Sequence, residues 1–462
     1  MEPLTLEEIV KAVRGRLVHG GRKERITGVS IDSRKVRPGD LFFAFPGARY
    51  DGHDFVGQAL EAGAAAAVVT RPVKDAKEKP LILVSDPLDA LQGLARYYRR
   101  LFNIPVVGVT GSTGKTTTKD IIAGVLGKRW RVLKNEGNYN NEIGLPLTLL
   151  RMERSHQVAV LEMAMRGRGE IAALCEIGRP QVGVITNIGK THLELLGSQE
   201  AIAKAKGELL EALPSDGCAV LNAEDPWQLR LASRVRRKVI FYGMDENCAV
   251  RASDITLQEL EGVKFLLRTP SGEVPCFLPI PGWHNVYNAL AAAAVGHYFG
   301  LTPEEIASGL GSPSRTGMRL EVMDGVNGIK IIDDSYNASP ASVRAALELL
   351  AAVSGRRKIA VLGDMYELGA ESLSGHREVG EKAALLHVDC LCAVGELARE
   401  TAAGAAQAGL PPERIHVFQK KEEAAAFLQS FLSEGDIVLI KGSRGMRMEE
   451  ITEFLTKRSD VR

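Results

Sequence analysis

Residues 106–118 read Val-Val-Gly-Val-Thr-Gly-Ser-Thr-Gly-Lys-Thr-Thr-Thr, and no other stretch restricts the possible folds as strongly. Val106, Val107 and Val109 read as a buried strand. Gly108, Gly111 and Gly114 permit a tight turn whose backbone approaches a ligand closely. Lys115 and Thr116 then open a helix, with Ile121, Ile122, Val125 and Leu126 on one face and Gly127 as its stop. Strand, glycine loop and helix N-terminus together form an anion site. Free N–H groups point into the loop, and the helix dipole adds positive potential. In a loop of this kind the lysine, here Lys115, reaches terminal phosphates, and the hydroxyl of Thr116 ligates magnesium. The strict pattern places a glycine five residues before Gly114, where this chain has Val109, so the match is to a variant loop. A glycine-rich turn with a solvated lysine is the alternative reading.

Around this loop, strand-like and helix-like stretches alternate, which predicts an α/β protein with mainly parallel sheets covered on both faces. Strands are expected at 28–31, 41–45, 66–70 and 81–84, then at 106–109, 158–161, 182–186, 219–221 and 239–242. A further set is expected at 329–332, 359–362, 391–394, 415–418 and 437–440, and residues 250–280 read as antiparallel strands. A length of 462 residues suggests three domains at about 150 residues each. The expected limits are 1–102, 103–313 and 314–462. The last boundary falls in the glycine-, proline- and serine-rich stretch 309–317, which reads as a hinge.

A net charge of +1 predicts neither a nucleic-acid nor a membrane footprint. The longest apolar runs, 63–69 and 289–295, are too short to span a bilayer. The start, Met1-Glu2-Pro3-Leu4, shows no basic segment followed by an apolar one, so no secretory signal is expected. The six cysteines are scattered without a Cys-x-x-Cys pair, as suits a reducing, cytoplasmic compartment.

Ligands of such sheets collect at the carboxyl ends of strands. Glu162 sits at one such end. Asn187 ends another, and His192 follows it. Asn138, Asn140 and Asn141 crowd a polar loop. Asn285 and Asn288 share a face at the start of a helix, where capping is the alternative role. Asp334 follows a strand. Lys441, Arg444 and Arg447 surround two glycines after the last strand, and read either as an anion site or as a solvated basic loop. Ser30, Asp32, Ser33 and Arg34 form a polar turn that binds a ligand or merely makes a turn. Lys206 lies on the apolar face of a helix expected over 200–213, while Lys204 shares a solvated face with Glu208 and Glu211. A lysine so placed must bury its charge, lose its proton or snorkel to solvent.

The chain resembles the Mur ligases along its whole length. The phosphate loop is shared with folylpolyglutamate synthetases. More specific are Gly137-Asn138-Tyr139-Asn140-Asn141-Glu142-Ile143-Gly144-Leu145-Pro146, Asp334-Ser335-Tyr336-Asn337-Ala338-Ser339-Pro340, Leu362-Gly363-Asp364-Met365 with Glu367-Leu368-Gly369, and Lys441-Gly442-Ser443-Arg444. These are similar to the branch that adds D-alanyl-D-alanine to UDP-N-acetylmuramoyl-tripeptide. The Asp-Asn-Pro-Arg signature of the diamino-acid-adding branch is absent. The resemblance implies a small α/β N-terminal domain, a central P-loop ATPase-like domain and a C-terminal Rossmann-like domain. It implies an ATP-dependent ligase of bacterial cytoplasm that acts through an acyl phosphate in peptidoglycan synthesis, as a monomer. Gly111, Ser112, Thr113, Gly114, Lys115, Thr116 and Thr117 would hold the phosphates, and Asn285, Asn288, Arg319 and Asp334 the rest of ATP. Thr116 and Glu162 would take one magnesium ion, and His192 and a carbamylated Lys206 a second. Lys115, Glu162, His192 and Lys206 would be the catalytic set. Ser30, Asp32, Ser33 and Arg34, with Asn138 and Asn141, would hold the UDP-linked substrate. Folylpolyglutamate synthesis and a phosphate-loop switch without ligase activity are the competing readings. The full N-terminal domain counts against the first, and the strand-end loops after 333 and 440 count against the second.

Overall fold

The computed structural model describes residues 1–456 except 20, 22, 23, 48, 74, 75, 77, 78, 192 and 314–316. The phosphate-loop strand Val106–Thr110 lies inside a nine-stranded sheet. On one side it pairs in parallel with Val158–Glu162, which pairs in turn with the edge strand Val132–Lys134. On its other side follow Val182–Ile185, Cys218–Asn222, Lys238–Gly243 and Val250–Gln258, all parallel. Gly262–Thr269 and Gly272–Leu278 complete the sheet as antiparallel strands. Chain order therefore reverses direction at Val106–Thr110, and the loops at the carboxyl ends of its neighbours converge there.

Every residue of Val106–Thr110 and of Val158–Glu162 is buried, because helices cover both faces. On one face Ile121, Ile122 and Val125 pack with Ala289, Leu290 and Ala293. On the other, Leu94, Ile171, Leu209 and Val106 belong to a core that continues into the N-terminal sheet through Leu41, Val68 and Leu91. Helix Pro87–Arg99 carries this continuity, which joins the N-terminal unit to the central one.

The N-terminal sheet runs Arg16–Leu17, Leu81–Leu83, Ala66–Val69, Asp40–Phe43, Gly28–Ser30, parallel except at its first pair. The C-terminal sheet runs Glu321–Asp324, Lys330–Asp333, Ile437–Lys441, Lys358–Gly363, Cys390–Val394, Ile415–Phe418, again antiparallel only at the first pair. The expected strands all form, with ends shifted by one or two residues. The short edge strand Val132–Lys134 was not anticipated, since three residues carry no readable period. The expected hinge at 309–317 includes 314–316, which lie outside the described residues.

Helices Ser372–Leu385 and Ala398–Gln407 touch backbone to backbone. A Cβ at Gly380 would sit 1.9 Å from the Thr401 carbonyl oxygen, and one at Gly404 would sit 2.1 Å from that of Arg377. Backbone cannot yield as a flexible side chain does. Gly380→Ala is therefore expected to cost about 1–3 kcal/mol of stability, read as a lower urea midpoint with an unchanged slope. A wild-type midpoint would contradict the packing described.

Candidate active site

A cleft of ≈ 880 Å³ opens between the central and C-terminal units, with Gln92 of helix Pro87–Arg99 also in its lining. Its floor is the phosphate loop. Gly111 has φ +151, and a Cβ there would lie 1.9 Å from Thr186 Oγ1. Gly114 has φ +76 and precedes helix Lys115–Leu126, which no side chain caps. That helix end therefore faces the cleft with its amides available to an anion.

The loop is clasped from the next strand end. Asn187 accepts from the Thr113 amide at 3.0 Å, and its amide group donates to the Thr113 carbonyl and hydroxyl. The Thr186 hydroxyl donates to the same carbonyl at 2.6 Å. Ser112 exchanges hydrogen bonds with the backbone of Gly189. Sequence placed Asn187 at a strand end but gave it no partner, because the partner lies 74 residues away.

Two amines meet beneath the loop. Lys115 Nζ and Lys206 Nζ each donate to the Gly111 carbonyl at 2.9 Å. Lys206 is 2% exposed, so it does not snorkel to solvent. Burial first, and the Lys115 charge second, push Lys206 well below the usual lysine range. Burial also lowers Lys115, against the opposing pull of Glu162. Lys204, expected beside Glu208 and Glu211, pairs instead with Glu200 at 2.8 Å. Glu208 turns away to accept from the amides of Gly169 and Ala172.

Glu162 is 2% exposed and points into this site. One carboxylate oxygen accepts from the Thr116 hydroxyl at 2.7 Å, the other from the Asn140 amide at 2.8 Å. Two hard oxygen donors thus stand side by side next to an anion loop, a donor set that fits magnesium. Among the described residues no group of three or more His, Cys, Asp or Glu is placed to hold a metal. His192 lies outside the described residues.

Asn285 and Asn288 are buried and do not cap their helix, His284–Tyr298. Asn288 receives the Thr118 hydroxyl at 3.1 Å and donates to Asn285 at 2.8 Å, which ties this helix to the phosphate-loop helix. Both asparagines line the cleft.

The C-terminal unit supplies the opposite wall. The Arg319 guanidinium stacks 4.1 Å from the Tyr336 ring centre, and its Nε is buried without a hydrogen-bond partner. Asp334 accepts from Lys441 and from the Leu320 amide. The expected anion site at 441–447 needs correction. Lys441 is 2% exposed and committed to Asp334, while Arg444 pairs with Glu449 and Arg447 with Glu450. The loop's cations are compensated from within, and Lys441 instead fixes Asp334 at the cleft wall.

Asn138 and Asn141 line the cleft, and Asn141 also accepts from the amides of Ile143 and Gly144. Ser30, Asp32, Ser33 and Arg34 do not line it. Asp32 accepts from the backbone and side chain of Arg34, which holds its carboxyl down at about 2. Ser33 donates to Gln58 at 3.1 Å, and Ser30 to the Asp32 carbonyl at 2.9 Å.

Three family profiles match the chain: "Mur ligase family, catalytic domain" over residues 25–99, "Mur ligase middle domain" over 109–296, and "Mur ligase, glutamate ligase domain" over 318–444. A UDP-N-acetylmuramoyl-tripeptide–D-alanyl-D-alanine ligase from Bacillus subtilis is 41% identical over 454 residues, covering 98% of each chain. Among solved structures, MurF from Acinetobacter baumannii superposes with a TM-score of 0.90 at 33% identity, over 99% of this chain and 100% of that one. MurF ligase from Thermotoga maritima, crystallised with ADP, superposes with a TM-score of 0.80 at 32% identity, over 93% and 97%.

Proposed function

The chain belongs to the Mur ligase family, and from that premise we propose how its cleft performs ATP-dependent addition of D-alanyl-D-alanine to UDP-N-acetylmuramoyl-tripeptide, a carbon–nitrogen ligation of peptidoglycan synthesis. The observation that carries this reading is the convergence of the central and C-terminal units on one cleft. An anion loop with Lys115 forms its floor, the Thr116–Glu162 oxygens stand beside the loop, and Arg319 and Asp334 face them from a separate sheet.

Two anions, a carboxylate and a triphosphate, must meet before any bond forms, so their repulsion has to be screened. The loop amides of 111–117 and Lys115 hold the phosphates. Thr116 and Glu162 would hold one magnesium ion, and His192 and Lys206, as its carbamate, a second. Bound there, the ions supply Lewis-acid charge neutralisation. The tripeptide carboxylate attacks the γ-phosphate, whose bond to the β-phosphate oxygen breaks with ADP as the leaving group, to give an acyl phosphate. The amine of D-alanyl-D-alanine then attacks the acyl carbon, expels phosphate and gives up a proton. Asn285 and Asn288 contact the adenine side, and Arg319, whose Nε has no hydrogen-bond partner, lends its charge to the phosphates. Ser30, Asp32, Ser33 and Arg34, with Asn138 and Asn141, hold the UDP-linked substrate. The internal Asp32–Arg34 pair means that UDP must displace or extend a turn that already satisfies itself. The reaction fits a monomer in bacterial cytoplasm. Among the described residues no helix is long and apolar enough to cross a membrane.

An acyl phosphate hydrolyses in water, so the third domain, 314–462, has reason to close over domains 1–102 and 103–313. Among the described residues several contacts join it to the central unit, and Leu260 packs against its core. Lys190 meets Glu371 at 2.9 Å, and Glu259 receives the amide and hydroxyl of Ser354 at 2.6 and 2.8 Å. Scattering at small angles is expected to give a smaller radius with nucleotide and tripeptide substrate together, and an unchanged radius at saturation counts against closure. Phosphate release tests the function itself. It should require both the UDP-linked carboxylate and the D-alanyl-D-alanine amine, and release that ignores both would favour a nucleotide switch.

A further inference from the structure

Glu162 is held on every side that does not face the cleft. Its backbone is gripped by Asn135, which is 1% exposed. The Asn135 oxygen accepts from the Glu162 amide at 2.9 Å, and its amide donates to the Glu162 carbonyl at 2.9 Å. Glu162 ends a strand whose edge partner, Val132–Lys134, ends at Lys134, so the Asn135 side chain extends the ladder by one residue. Asn135 is itself fixed, because Lys119 Nζ donates to its carbonyl at 2.8 Å and its amide also donates to the Tyr139 carbonyl at 2.9 Å. The carboxylate is then divided. Thr116 takes one oxygen, and Asn140 takes the other at 2.8 Å. Only the Asn140 side-chain NH₂ can face a carboxylate, and the Asn140 main-chain carbonyl accepts from the Ala164 amide at 2.9 Å, which anchors the backbone of this residue.

We propose that Asn140, backed by Asn135, holds Glu162 as a one-oxygen ligand and so biases the site toward a small ion such as magnesium over a larger one such as calcium. The inference rests on the reading of Thr116 and Glu162 as a metal site. Magnesium demands near-octahedral geometry and keeps several waters, so one carboxylate oxygen suits it. Calcium takes six to eight oxygens and often uses both oxygens of a carboxylate. To bind in that way here, Glu162 must break its bond to Asn140. Asn140 is a positioning residue, since it acts through Glu162.

The test is calorimetric titration of Mg²⁺ and Ca²⁺ into protein saturated with ADP, wild type against Asn140→Ala. Far-UV circular dichroism and metal-free ADP affinity verify the fold of the variant. The magnesium-to-calcium affinity ratio should fall roughly tenfold, chiefly by tighter calcium binding once the second Glu162 oxygen is free. Equal weakening of both ions, or an unchanged ratio, overturns the proposal. If wild type with ADP binds neither ion, the metal-site reading itself fails, and the proposal fails with it. Asn135→Asp offers a second variant. It keeps the acceptor for the Glu162 amide and loses the donor to the Glu162 carbonyl, so a smaller fall in the same direction is expected, and a rise in the ratio contradicts the role given to Asn135.

Discussion

Lys115→Ala is expected to abolish ligation while leaving the protein folded. Without nucleotide, Lys115 Nζ donates to carbonyls, at 2.9 Å to Gly111 and 3.4 Å to Ser112, and burial opposes its charge more than the pull of Glu162 favours it. Removing it gives up that cost, so the unfolding midpoint should change little. The charge that develops on the transferring phosphoryl group then loses its nearest fixed cation. A loss of about 3 kcal/mol or more in transition-state stabilisation is expected, a factor of roughly a hundred or more in kcat. Near-wild-type turnover by Lys115→Ala would remove the phosphate loop from the mechanism.

A comparable loss is expected for Lys206→Ala, of the order of a hundredfold or more, with partial rescue by added short-chain carboxylates. Lys206 is buried, shares the Gly111 carbonyl with Lys115 and titrates well below an ordinary lysine. Burial and the Lys115 charge make such an amine give up its proton more readily than a surface lysine does. Only the neutral amine adds carbon dioxide to become a carbamate. The modification reverses the local electrostatics, because an anion beside Lys115 is attracted where an ammonium is repelled. The sign of the pH effect follows. As pH falls through the lowered Lys206 value the amine protonates, carbamate is lost, and activity falls with it, and added bicarbonate should shift that loss to lower pH. Full activity in Lys206→Ala, or density for a bare ammonium in a crystal with metal bound, would refute the carbamate.

Residues that are contiguous in the chain were legible before the fold was. The phosphate loop, its strand and its helix follow one another without a break over residues 106–126, and their glycine spacing carries its own physical reason. The inward face of Lys206 could be read from helical period alone, and Glu162 from its place at a strand end. Long-range pairings could not be read. Lys441 looked like a free cation because Asp334, which holds it, lies 107 residues earlier. Asn135 carried no readable signal, because its grip on Glu162 depends on the register of an edge strand three residues long. Asn140 was visible only as one of three neighbouring asparagines. Its distinction from Asn138 and Asn141 is which of them reaches the carboxylate, and that is set by the turn between 135 and 144.

The central claim is that this cleft activates a carboxylate with ATP and passes it to an amine. It is tested most directly with UDP-N-acetylmuramoyl-tripeptide labelled with ¹⁸O in its terminal carboxylate, incubated with purified protein, ATP, magnesium and D-alanyl-D-alanine. The account predicts one ¹⁸O in each phosphate released, because the carboxylate oxygen that attacks the γ-phosphate leaves with it. It also predicts a product whose mass equals both substrates less one water, counted with the label lost. Unlabelled phosphate, or phosphate released with no such product, would contradict it.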